Sequence, residues 1–179
     1  EMQAILDNRT KEMGLGQTRA IVATRDGRIW HGISGNMRTF DQPSLIGSLT
    51  KTFTTTLIMQ LVDEGLLSLD DPLGGMGIGF KHGQITIRQL LTHTSGLSKY
   101  KTNNGYVAKG TTPMDVLKYT SKQPLRFPPG SYVNYSTSGF SLLGLILEQK
   151  TGMTFEELLR ARITDSLGYN ISTFRGDYG

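Results

Sequence analysis

A serine and a lysine stand three residues apart in the segment Ser48-Leu49-Thr50-Lys51. The apolar residues that follow recur at spacings of three and four, which predicts an amphipathic helix over 48–64 that begins at Ser48. Residues three apart share one helix face, and a serine hydroxyl needs a neighbouring group that accepts its proton before it attacks efficiently. The pattern therefore indicates a nucleophile, Ser48, beside an amine base, Lys51. The same tetrapeptide also fits a helix-capping serine beside a solvated lysine.

The composition excludes several other chemistries. The chain has 179 residues, a formal net charge of +4 and no cysteine, so disulfides, thiolate metal sites and cysteine nucleophiles are ruled out. Its positive charge is spread without a block of like charges, which disfavours nucleic acid as a partner. No apolar stretch approaches the roughly 20 residues that a membrane-spanning helix needs. We predict no metal and no cofactor.

The elements before the serine form a small unit in the prediction. A partial apolar stripe predicts a first helix that ends at Gly14. Two short β-rich runs, 20–24 and 28–34, are joined through Arg25-Asp26-Gly27, and the Asp-Gly pair supplies the positive φ angles that a tight hairpin turn needs. We therefore expect a β-hairpin that belongs to a larger sheet.

The region after the serine reads as helical. Four further helices are predicted from residues able to cap them: Thr86, Thr112, Thr137 or Ser138, and Thr154. Thr112 is followed by Pro113 at the first helical position, and Thr154 has Glu157 at the capping-box spacing. The prediction is therefore six helices and one hairpin.

Three blocks in a fixed order carry a family resemblance. They are Ser48-Leu49-Thr50-Lys51, the segment 61–72 after the helix, and Leu90-Leu91-Thr92-His93-Thr94-Ser95-Gly96. Together they resemble the serine β-lactamase and penicillin-binding-protein family, in the branch that includes class C β-lactamases, D-alanyl-D-alanine carboxypeptidases and family VIII esterases. The resemblance runs from about residue 2 to about residue 174. It implies an α+β fold.

The family's second motif, Tyr-x-Asn, can be aligned in two ways. Tyr132-Val133-Asn134 matches it literally, whereas the spacing to Gly139 and to Leu143-Gly144 selects Tyr135 and places Thr137 at the asparagine position. We adopt Tyr135. A threonine hydroxyl cannot offer both a donor and an acceptor as an amide does, which favours esters or peptides over β-lactams as substrates.

The resemblance implies a role for each of these residues. Ser48 would attack a carbonyl, Lys51 and Tyr135 would share the proton transfers, and Thr137 would contact the substrate. The block around His93 is a structural turn in this family, so we do not expect His93 to act in catalysis.

The third family motif, a Lys/His-x-Gly or Trp-x-Gly segment, is not found in the sequence. We expect 1–179 to be one β-lactamase-like region that resembles the first half of the family fold. Residues 1–47 would form the N-terminal helix and hairpin of an unfinished antiparallel sheet, and 48–179 the helical region. The family favours a periplasmic or secreted location.

The predicted function is a serine acyl-enzyme hydrolase acting on esters, D-alanyl peptides or β-lactams. A second chain or a self-associated copy that completes the sheet is one candidate partner, besides the small-molecule acyl substrate. The alternatives are a noncatalytic penicillin-binding or sensor module, which is acylated without turnover, and an inactive half-domain.

Overall fold

A computed structural model describes residues 1–40, 45–100 and 111–168. The chain divides into two compact units, Glu1–Ile46 and Gly47–Gly179.

The first unit contains a helix and the expected hairpin. Helix α1 spans Met2–Glu12, and strands β1 (Gln17–Ala23) and β2 (Ile29–Gly35) pair antiparallel, from Gln17 opposite Gly35 to Ala23 opposite Ile29. The turn contains Gly27 at φ 85°, so the hairpin prediction is confirmed, although β1 begins three residues earlier than the apolar run suggested. Among the described residues this sheet has two strands.

The second unit is helical. Its helices are α2 (Thr50–Asp63), α3 (Ile87–Leu91), α4 (Pro113–Lys122), α5 (Thr137–Thr151) and α6 (Phe155–Leu159). A 3₁₀ turn, Gly47–Leu49, precedes α2, a second one spans Leu73–Gly75, and a π-helical turn, Arg160–Thr164, follows α6. No helix in the described ranges is long and apolar enough to cross a membrane.

The core of the second unit forms where α2 and α5 pack together. The side chains that these two helices bury completely are Leu57, Ile58, Leu61, Leu142, Leu143, Ile146 and Leu147. Their spacings of three and four place them on one stripe of each helix. Burying each side chain contributes roughly 1.5–3 kcal/mol. This packing holds α2 and α5 against one another.

Three short helices begin with complete capping boxes. Thr86 pairs with Gln89 at α3, Thr112 with Asp115 at α4, and Thr154 with Glu157 at α6. In each box the threonine side chain accepts the N–H of the third helical residue, whose own side chain accepts the N–H of the threonine. The predicted starts of these helices are confirmed.

Two predicted helix starts are wrong. Helix α5 is capped by Ser136, whose side chain accepts the N–H of Gly139, and not by Thr137 or Ser138. Helix α2 begins at Thr50 rather than at Ser48, and no side chain caps it. Ser48 instead lies in the preceding 3₁₀ turn.

Candidate active site

The backbone before Ser48 turns sharply. Gly47 has φ 52°, and a side chain at this position would meet no atom within 4 Å. The glycine is therefore favoured by its left-handed backbone conformation and not by crowding. This conformation leads into the 3₁₀ turn that presents Ser48 at the surface.

Lys51 lies in the first turn of α2, on the same side as Ser48. Its Nζ donates a hydrogen bond to Ser48 Oγ over 3.2 Å. The same Nζ lies 4.9 Å from the ring centre of Tyr135 and 5.5 Å from that of Phe140. Both distances are within the range of cation–π attraction. The two rings thus hold the half-buried amine against the serine.

Tyr135 reaches the same point from the segment that enters α5. Its phenol oxygen is 2.7 Å from Ser48 Oγ, although the two residues are 87 positions apart in the chain. Hydrogen bonds with Lys51 and with Ser48, together with the positive charge of Lys51, lower the pKa of the Tyr135 phenol from its ordinary value. The phenolate form is therefore easier to reach here than in a free tyrosine.

Tyr132 lies outside this arrangement. Its side chain is 68% exposed, and its ring packs edge-on against Phe127 at 5.7 Å. Within the described residues Tyr132 forms no hydrogen bond with Ser48 or Lys51. Of the two tyrosines that could match the family motif, Tyr135 is the one beside the serine.

Thr137 is the first residue of α5 and is exposed. Its carbonyl accepts a hydrogen bond from Ser141 Oγ at 3.5 Å. In the described part of the chain its hydroxyl forms no hydrogen bond with Ser48, Lys51 or Tyr135. Thr137 thus lies two residues after Tyr135, at the start of α5, with its side chain open to solvent.

His93 belongs to the site although the sequence interpretation assigned it only to a turn. Its ring lies 4.6 Å from that of Tyr135, and its Nδ1 accepts the backbone N–H of Ser136 at 3.2 Å. Burial, and then the charge of Lys51, lower the pKa of His93 from its ordinary value. The sequence carries no signal for this contact, since the two partners are 43 positions apart.

Together these groups can move protons to and from Ser48. The hydroxyl has a phenol on one side and an amine on the other, both within hydrogen-bonding distance. A base that accepts the hydroxyl proton makes the oxygen nucleophilic, and an acid that returns a proton assists the leaving group. The residues 1–40, 45–100 and 111–168 hold no group of three carboxylates and histidines that could bind a metal ion.

Comparison with known proteins identifies the family of the chain. A family model described as Beta-lactamase matches residues 13–177, which is most of the chain. The fold is that of the β-lactamase-like family of serine hydrolases. The chain belongs to the β-lactamase family, so the resemblance and the α+β fold expected from the sequence are confirmed.

The related proteins include penicillin-binding proteins, a peptidase and amidohydrolases. The chain is 31% identical to the putative penicillin-binding protein PbpX of Bacillus subtilis over 97% of its own length and 45% of that protein. It is 33% identical to the D-alanyl-D-alanine-carboxypeptidase/endopeptidase AmpH of Escherichia coli, over 72% of the chain and 36% of AmpH.

A solved structure also matches most of the chain. The D-stereospecific amidohydrolase from Streptomyces sp. superposes with a TM-score of 0.80 at 30% identity, covering 93% of this chain and 53% of that one. The chain thus spans about half of this relative and less than half of the curated relatives named above.

Proposed function

We propose that the protein is an acyl-transferring serine hydrolase in which Ser48 is the nucleophile and Lys51 and Tyr135 move its proton. The observation that carries the proposal is the pair of contacts at Ser48 Oγ, 2.7 Å to the phenol of Tyr135 and 3.2 Å to the amine of Lys51. A serine that merely capped α2 would point at backbone N–H groups, whereas α2 has no side-chain cap.

The division of work between the two bases follows from their surroundings. Tyr135 has a lowered pKa and the shorter contact to Ser48, so its phenolate is the group proposed to take the serine proton. Lys51 stabilises that phenolate by its hydrogen bond and its charge. During acyl transfer the resulting phenol would return this proton to the leaving group, and the regenerated phenolate would then deprotonate the water that releases the acyl group.

The proposed substrates are esters, D-alanyl peptides or amides, and β-lactams. Carboxypeptidase and D-stereospecific amidohydrolase names among the relatives support peptides and amides. Thr137, exposed at the start of α5, is the residue proposed to contact the substrate, and its single hydroxyl favours esters over β-lactams.

A noncatalytic penicillin-binding module is the competing function, since it would need the same nucleophile. The penicillin-binding module and the hydrolase differ in deacylation. A sensor would stay acylated, whereas a hydrolase with an available base would release the product. The hydroxyl of Tyr135 lies 2.7 Å from the oxygen that would carry the acyl group, and a base at this place supports the hydrolase. A second chain that completes the sheet stays a prediction, and light scattering coupled to size exclusion tests it.

The deciding experiment is covalent labelling. The chain is incubated with a fluorescent penicillin or an aryl phosphonate, and the adduct is mapped by mass spectrometry. We expect the label on Ser48 and its loss in Ser48→Ala. Labelling that persists unchanged in Ser48→Ala would remove Ser48 from the mechanism. Release of the penicilloyl group over time separates the hydrolase from the sensor.

A further inference from the structure

His93 has an unusual backbone conformation. It is the one non-glycine residue at positive φ, 60°, among the described residues. Histidine adopts this region more readily than most side chains, yet the conformation still costs energy that the surroundings must supply. Such a position is worth testing for a function.

Two backbone hydrogen bonds run from the residues beside Tyr135 to His93. The N–H of Asn134 donates to the carbonyl of His93 at 2.8 Å, and the N–H of Ser136 donates to its Nδ1 at 3.2 Å. The residues before and after Tyr135 are therefore both held by one histidine. The left-handed backbone of His93 presents its carbonyl and its ring to the same segment.

The ring of His93 also packs against the working side chains. It lies 4.6 Å from the ring of Tyr135 and 5.3 Å from that of Phe140, the two rings that flank the amine of Lys51. Since the Ser48–Tyr135 contact spans 2.7 Å, a small rotation of the tyrosine would break it. A rigid support for Tyr135 is thus needed.

We propose that His93 is a positioning residue, whose Nδ1 and carbonyl hold the 134–136 segment so that the Tyr135 hydroxyl stays on Ser48. This inference rests on the proposed function of Ser48 and Tyr135. Accepting at Nδ1 requires a neutral imidazole with its proton on Nε2, so protonation of His93 releases the Ser136 N–H. The groups facing the ring are Tyr135 from the 134–136 segment, Lys51 from α2 and the non-titrating Phe140 from α5.

The test compares two variants that both suit a left-handed backbone. His93→Asn keeps a side-chain acceptor near the position of Nδ1, whereas His93→Gly has none. We expect His93→Gly to slow phosphonylation of Ser48 roughly tenfold, and His93→Asn to stay within about threefold of the parent chain. His82→Asn, at a histidine bonded to the carbonyl of Gln123, is the matched control and should leave the rate unchanged.

A second readout follows Tyr135 directly. In protein labelled with [ζ-¹³C]tyrosine, with the signal assigned by Tyr135→Phe, we expect Tyr135 to titrate at higher pH in His93→Gly than in the parent or in His93→Asn. In the parent chain the Tyr135 signal should also shift as His93 is protonated, below pH 6.5 since its pKa is lowered. That acidic shift should vanish in His93→Asn.

Each outcome decides the inference. If His93→Gly labels and titrates like the parent, or if His93→Asn is as slow as His93→Gly, the acceptor role is wrong. If His93→Gly does not fold, the acidic shift in the parent chain decides, and its absence overturns the proposal. If Ser48 is never labelled while the Tyr135 titration still responds to position 93, the proposed function fails and the positioning role stands.

Discussion

Replacing Tyr135 by phenylalanine removes one oxygen and leaves the ring in place. The ring would keep its contacts with His93 and Lys51, at 4.6 Å and 4.9 Å in the parent chain. What is lost is the hydroxyl 2.7 Å from Ser48 Oγ. Because the residue is 45% exposed, we expect the free energy of unfolding to change by no more than about 0.5 kcal/mol. The change in rate therefore reports chemistry.

The size of the rate change separates two roles for the Tyr135 hydroxyl, a hydrogen bond alone and proton transfer. A hydrogen bond to a charged group is worth about 1.5–3 kcal/mol, and at about 1.4 kcal/mol per factor of ten this corresponds to a loss of roughly 10- to 150-fold. General acid–base catalysis contributes about 10²–10⁴. We expect Tyr135→Phe to slow Ser48 acylation at least ~10²-fold, with a value above ~10³ assigning proton transfer itself to the phenol.

The assay is the second-order rate constant for labelling of Ser48 by an aryl phosphonate, read by mass spectrometry. Tyr132→Phe is the matched control, because it removes the same atom from the other tyrosine of the motif region, whose ring packs on Phe127. We expect no change in that variant. A lowered labelling rate in Tyr132→Phe together with an unchanged rate in Tyr135→Phe would show that the second motif is aligned wrongly and would refute the reasoning.

Three further outcomes are expected. Lys51→Ala should slow labelling at least ~10²-fold, and adding Tyr135→Phe to it should cost little more because the two act as a unit; additive losses would contradict this. The labelling rate should rise with pH as the Tyr135 phenolate forms and level off below pH 10. In Lys51→Ala the plateau should begin at higher pH, because removing the cation disfavours the phenolate. A plateau at the same pH in both proteins would exclude Lys51 as the cause of the lowered pKa of Tyr135. Thr137→Asn should raise kcat/KM for nitrocefin relative to a short p-nitrophenyl ester, and a fall in that ratio would argue against a substrate contact at this position.

The features that were predictable from the sequence are mostly local ones. The threonine of each capping box bonds to a residue three positions away, so a short window contains both the cause and the effect. The hairpin could likewise be predicted from the sequence of its turn. The contact between Ser48 and Tyr135 could not be predicted from a short window, because the two residues are 87 positions apart and meet only in the folded chain.

The residues of the candidate site could be predicted from the sequence for a different reason. Ser48 and Lys51 lie within one turn, so their contact follows from helix geometry, whereas Tyr135 was placed by resemblance and not by any local rule. His93 was missed since its left-handed backbone and its bond to Ser136 are tertiary properties. A histidine in a Thr-rich turn gives no sign in the sequence of which distant segment it will support.

The missing cap of α2 has a consequence for how the gene can change. Capping threonines are worth about 1 kcal/mol each to folding, so replacing Thr86, Thr112 or Thr154 would be opposed by selection for stability alone. Ser48 Oγ accepts no backbone N–H of α2, so its replacement removes no helix cap. In a duplicated copy released from selection for activity, the serine would be free to drift early while the threonines persisted. A descendant that keeps Ser48 would therefore record continued selection on the reaction and not on the fold.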